Sequence, residues 1–146
     1  MKALKRCLVL VGVLLLFGLS TTNVNAEYLG EFCWNVADSH GTVGMVKIGI
    51  THMGGNHYLV QGGASGDDIY FSGSGLLVGG KIVFSMSGTH TEERSGEIRK
   101  NGNSWEVTID LTTLNGPFWT ISTEYFADGT TNVHYGEGTW EYTSCQ

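Results

Sequence analysis

The chain has 146 residues, with 22 glycines, one proline, and eight lysines and arginines against fourteen aspartates and glutamates. That length holds one domain. The acidic balance excludes the basic face that nucleic acid or an anionic membrane surface needs. Glycine without a strict period excludes collagen, and no polar tract marks disorder.

In chain order, the first pattern is a leader. Lys2, Lys5 and Arg6 form a basic head, residues 8–19 form an apolar run, and Val24-Asn25-Ala26 offers a small-residue cleavage point. Residues 1–26 therefore read as a secretory signal peptide and residues 27–146 as the exported domain. The apolar run is too short to span a bilayer, so no membrane span is expected. Cleavage removes three of the eight basic residues and no acidic one, leaving a net charge of 5 − 14 = −9. Cys7 leaves with the leader. Cys33 and Cys145 remain, an even pair sent to an oxidising compartment, and they are expected to form one disulfide. This reads as a secreted bacterial product, periplasmic or extracellular.

Turn signals then recur through the exported domain. They fall at Asp38 to Gly41, Gly54-Gly55, Gly62 to Asp67, Gly79-Gly80, Thr91 to Ser95, Asn101-Gly102, Asn115-Gly116-Pro117 and Asp128-Gly129. Gly, Asn and Asp tolerate the positive φ of tight hairpins. Between the turns, apolar residues alternate with period two. Val46, Ile48 and Ile50 share one face, as do Ile82, Phe84 and Met86, and Trp105, Val107, Ile109 and Leu111. No segment of the exported domain carries an apolar 3.6 period over 11 residues, so no substantial helix is expected there. The pattern predicts an all-β domain, a single antiparallel up-and-down meander of eight or nine strands.

The two ends bear on whether that meander is a barrel or a sandwich. Phe32, Trp34 and Val36 lie on one face of the first strand with Cys33 opposite; Trp140, Tyr142 and Ser144 lie on one face of the last with Cys145 opposite. If both aromatic faces point inward, a disulfide joins the first and last strands, as closure into a barrel allows, and closure removes both sheet edges. A β-sandwich with the same pair across its layers is the alternative. Gly-rich secreted meanders with tryptophan near their ends resemble the calycin-type barrels, the lipocalins and avidins, which carry a G-x-W near the first strand. Here Gly30-Glu31-Phe32-Cys33-Trp34 sets the tryptophan one or two residues late, and a true G-x-W stands in the last strand, at Gly138-Thr139-Trp140. The resemblance implies architecture and assigns no binding residue.

Reaction chemistry finds little support. His52 and His57 flank a Gly-Gly turn and His90 lies near Glu92 and Glu93, but solvated hairpin ends collect such residues, and no metal site is expected. Asp67-Asp68 and Glu92-Glu93 are adjacent pairs, and neighbours on a strand point to opposite faces. Gly63-Ala64-Ser65-Gly66 lacks the closing glycine of a nucleophile elbow, and Gly73-Ser74-Gly75 lacks the helix that a phosphate loop needs. No catalytic set and no cofactor is expected, so an enzyme ranks lowest. The aromatics carry the most information. Trp34, Trp105, Trp119, Tyr125 and Trp140 are the candidate ligand-binding residues, as core or as the lining of a mouth. Residues 118–125 admit two settings. Either Trp119 and Ile121 face inward, or Phe118 and Glu124 do and a polar group reaches the lumen. The expected function is binding of a small apolar or aromatic ligand in the interior or mouth; the alternative is an envelope interaction or inhibitor module whose acidic surface meets a basic protein partner.

Overall fold

The computed structural model describes residues 25–39, 41–64, 69–94 and 96–145. Of the expected leader only Asn25 and Ala26 fall within this range; its basic head and apolar run, His40 and the Asp67-Asp68 pair lie outside it.

Eight strands follow one another: β1 (Glu27–Asp38), β2 (Gly41–Gly54), β3 (His57–Ala64), β4 (Tyr70–Val78), β5 (Lys81–Arg94), β6 (Glu97–Asp110), β7 (Gly116–Tyr125) and β8 (Thr131–Thr143). Each pairs antiparallel with the next, and β1 pairs with β8, so the meander is a closed barrel. No helix occurs among the described residues. Seven of the eight turn signals lie at or beside strand junctions. The exception is Asn101-Gly102, which runs straight through β6, because Asn101 pairs with His90 on β5 and Glu124 on β7. Ladder hydrogen bonds on both sides outweigh the local turn preference of Asn-Gly, and the described residues form eight strands rather than nine.

The alternating faces place the core. Trp34, Val36, Val46, Ile48, Ile50, Val60, Phe71, Ile82, Phe84, Met86, Val107, Ile109, Phe118 and Trp140 form one buried cluster inside the ring. Each large side chain removed from water contributes about 1.5–3 kcal/mol. Two glycines of β4 make room for them. A Cβ on Gly73 would collide with the Ser85 carbonyl and Met86, and one on Gly75 would stand 2.6 Å from the Phe84 ring. β4 therefore lies close against β5 because those positions carry no side chain.

One end of the barrel is capped. Residues 111–115, between β6 and β7, fold across it: the Trp34 indole donates to the Leu114 carbonyl at 2.7 Å, Leu111 N–H to the Gly80 carbonyl at 3.1 Å, and Tyr142 N–H to Asn115 Oδ1 at 2.7 Å. Leu114 takes a positive φ of 58°, a conformation that costs about 1 kcal/mol or more and persists where its surroundings fix it. Asp110 anchors the turn by accepting from the Thr112 and Thr113 N–H groups at 2.8 and 3.4 Å. The Thr112 N–H first, then that of Thr113, holds its carboxyl below the ordinary 3.8. The folded state thus favours the charged form, so the stabilisation is complete above 3.8 and is lost as pH falls through the lowered folded value. Amide exchange at Leu114 should accelerate over that acid range in the native protein. In Asp110→Asn it should be faster at neutral pH and lack the acid step, and an unchanged acid step would show that another group governs the cap.

The Cys33–Cys145 disulfide closes the same end, with Cα atoms 5.3 Å apart. Cys33 is fully buried on the outer side of β1, while its neighbour Trp34 is buried inside. Strand alternation alone produces this opposition.

Candidate functional site

The opposite end is open and uneven. β8 pairs with β1 only through residues 138–143, whereas it pairs with β7 from residue 131 onward. β5 and β6 pair along their whole length, from Lys81–Asp110 to Arg94–Glu97, and β4 joins β5 only from Thr89 downward. The far halves of β5, β6, β7 and β8 therefore project as a four-stranded wall past the rim of the barrel.

The inner face of this wall continues the core face of each strand and turns from apolar to polar. Beyond Trp105 on β6 come Asn103, Asn101 and Arg99; beyond Phe118 on β7 come Thr120, Ser122 and Glu124. Phe118 is buried and Trp119 is 46% exposed, so of the two settings for residues 118–125 the structure adopts the one that sends Glu124 inward. Arg99 Nη1 donates to Glu124 Oε1 at 2.9 Å, and both side chains are largely buried. His134 Nε2 stands 3.6 Å from Glu124 Oε2, and the Arg99 guanidinium lies over the Phe126 ring at 5.0 Å. Phe126 is turned back toward Arg99 by the tight residue 126–130 turn, where its N–H donates to the Thr130 carbonyl at 3.0 Å. The Arg99 hydrogen bond, first, and then its charge hold the Glu124 carboxyl below the ordinary 4.5. Asn101, buried, lies 3.0 Å from His90 through Nδ2 and Nε2, and His90 Nδ1 is buried with no protein partner.

At the foot of the wall a small apolar cavity of about 30 Å³ lies between Gly44, Val46, Ala64, Ile69, Phe71, Trp105 and Trp140. Trp34 packs on Trp140 with ring centroids 5.5 Å apart, and Trp105 on Phe118 at 5.1 Å and on Trp140 at 6.3 Å. The indole N–H groups of Trp105 and Trp140 are buried with no protein acceptor. A donor so placed costs about 1–3 kcal/mol unless something accepts from it.

Of the five candidate ligand-binding residues, the fold brings together Trp34, Trp105 and Trp140 inside the barrel. Trp119 and Tyr125 stand on the outer face of β7, about half exposed. His52 bonds the Gly55 carbonyl at 2.9 Å and packs on Tyr58 at 5.1 Å, and no three metal-ligating side chains gather among the described residues. Arg99 and Asn101 were not singled out from sequence as functional. The signal that finds them is the Trp105–Ile109 alternation continued backwards, which sets three polar residues, Asn103, Asn101 and Arg99, on a core-facing stripe. A depression of about 910 Å³ is an open groove outside the barrel, edged by Gln61, Tyr70, Ser72, Ser87 and the Lys47–Glu31 ion pair. It exposes no buried unpaired polar group, and the inner wall does. Comparison with known proteins finds no matching family model, no matching curated sequence and no matching solved structure.

Proposed function

We propose that the protein is a secreted binding module of lipocalin or avidin type that takes a small apolar or aromatic ligand at its open end. The reading rests on one observation: the interior changes from an apolar floor at Trp105 and Trp140 to a polar wall at His90, Asn101, Arg99 and Glu124, and does so only at the uncapped end. Such a surface suits a ligand with an apolar body and a polar edge, seated on the floor and oriented by the wall. The cavity at the aromatic floor holds only about 30 Å³, so the ligand sits at the mouth and does not enter the depth of the barrel. The disulfide supports the exported setting.

Titration with a panel of hydrophobic dyes and small aromatic carboxylates, followed by tryptophan emission, should return at least one saturable binder near 1:1 stoichiometry. Arg99→Ala should weaken it at least tenfold, since a charge-assisted hydrogen bond is worth about 1.5–3 kcal/mol. A panel with no saturable binder would end the proposal.

The second reading, an interaction or inhibitor module for a basic protein partner, has its own support. The exported domain carries a net charge of 5 − 14 = −9, with Glu27, Glu31, Glu93, Glu106, Glu137 and Glu141 exposed. Such a complex weakens steeply with salt, whereas a ligand seated on tryptophans does not, and a pull-down from secreted protein at low and high salt separates the two.

A further inference from the structure

The projecting wall ends at a free strand edge. Residues 131–137 of β8 pair with β7 on one side and with no described strand on the other. Barrels with staggered strands leave such overhangs, and natural sheets protect them with charge, proline or bulges. The other overhangs here are protected. The far end of β5 carries the exposed Glu93, and the start of β1 carries Glu27 and Glu31 with a register shift between Tyr28 and Gly30. The β8 overhang reads Thr-Asn-Val-His-Tyr-Gly-Glu, with no lysine, arginine or proline, and its register against β7 is unbroken. Beside it, on the outer face, lies an apolar patch. Tyr135 is 76% exposed and Val133 and Tyr125 about half exposed, and Ile121 stands directly opposite Tyr135.

From the bare edge and the patch beside it, we infer that residues 131–137 pair with the same segment of a second copy of this chain, antiparallel about a two-fold axis through His134. The segment is self-complementary in that register. Val133 of each copy falls opposite Tyr135 of the other, on the outer face, and Thr131 falls opposite Glu137. Directly opposed aromatic and β-branched side chains are among the favourable cross-strand pairs, and a two-fold contact makes each pairing twice. The ladder supplies partners for the free backbone groups, and the Val133–Tyr135 pairs cover the most exposed part of the patch. The two walls then join into one continuous eight-stranded sheet. This pairing is independent of whether a ligand occupies the mouth.

Sedimentation equilibrium of the full chain from about 10 µM to 1 mM should show a monomer–dimer equilibrium. Tyr135→Lys, at a position outside the core, should raise the dissociation constant at least tenfold. Tyr70→Lys, an equally exposed tyrosine on β4, should leave it unchanged. His134→Cys places two thiols opposite each other across the axis, within disulfide range, and should give a covalent dimer on mild oxidation. A native protein that stays monomeric throughout, a Tyr135→Lys dimer as tight as the native one, equal loss in Tyr70→Lys, or a His134→Cys variant that does not cross-link would each overturn the proposal.

Discussion

Cys33→Ser should lower the melting temperature by about 15 °C relative to the native protein, and Cys145→Ser by the same amount. The bond closes a loop of 112 residues. In the chain-entropy model a loop of that length restricts the unfolded ensemble by about 4–5 kcal/mol, and for a domain near this size each kcal/mol shifts the midpoint by about 3–5 °C. A figure of that size rivals the whole stability of many small domains. The bond also holds together the seam where the barrel closes, since β1 and β8 pair only through residues 33–38 and 138–143. Hydrogen exchange in the serine variants should therefore rise first at that seam and last in β5 and β6, whose pairing is longest. Calorimetry of native, single-serine and double-serine forms checks this. The double variant should match the singles, because either substitution alone removes the bond. A shift below about 3 °C would mean that the unfolded chain already holds its ends close.

Trp140→Ala should cost about 3–5 kcal/mol, the range for emptying a buried aromatic site. Trp140 is 1% exposed and touches Trp34 on one side and Trp105 on the other. Its removal takes one ring contact from each neighbour and enlarges the cavity at the foot of the wall. Trp140→Phe should cost much less, because it keeps most of the apolar area and removes an indole N–H that has no acceptor. Chemical denaturation of the two variants tests this, with the slope checked for constancy. Near-equal losses would show that the site tolerates collapse. If Trp140→Ala still folds, its widened cavity should bind small aromatic dyes more tightly than the native mouth does.

Period-two alternation carried most of the architecture. It put Trp34 and Trp140 on inner faces, and with them Cys33 and Cys145 on the outer side where they join. The turn signal at Asn101-Gly102 is the one that does not mark a turn, because it sits inside a long strand paired on both sides; only the two flanking strands reveal which preference wins. Alternation left residues 118–125 open because both faces of β7 carry a large aromatic, and the choice was made by space inside the ring against Trp105 and Val107. The polar wall was legible in part. Glu124 belongs to one of the two settings that the sequence allows, whereas Asn101 reads as a turn residue and Arg99 carries no signal of its own, because strands beyond a barrel's rim obey the same alternation as strands within it. Nothing in the sequence marks where the rim lies. The stagger of β1 against β8 fixes that, and stagger follows from pairing along all eight strands.

The bond between Cys33 and Cys145 also decides how the molecule bears force. A pull between its two ends enters the fold at the start of β1 and leaves it after β8, and these points are held by a covalent link. Tension can straighten residues 27–32, which lie outside the loop, but the chain between the two cysteines carries no load while the sulfurs stay joined. Likewise a single backbone cut in any hairpin between β1 and β8 releases no fragment. Under reducing conditions both protections vanish together, and the same pull would peel β1 from β8 along the shortest seam in the barrel.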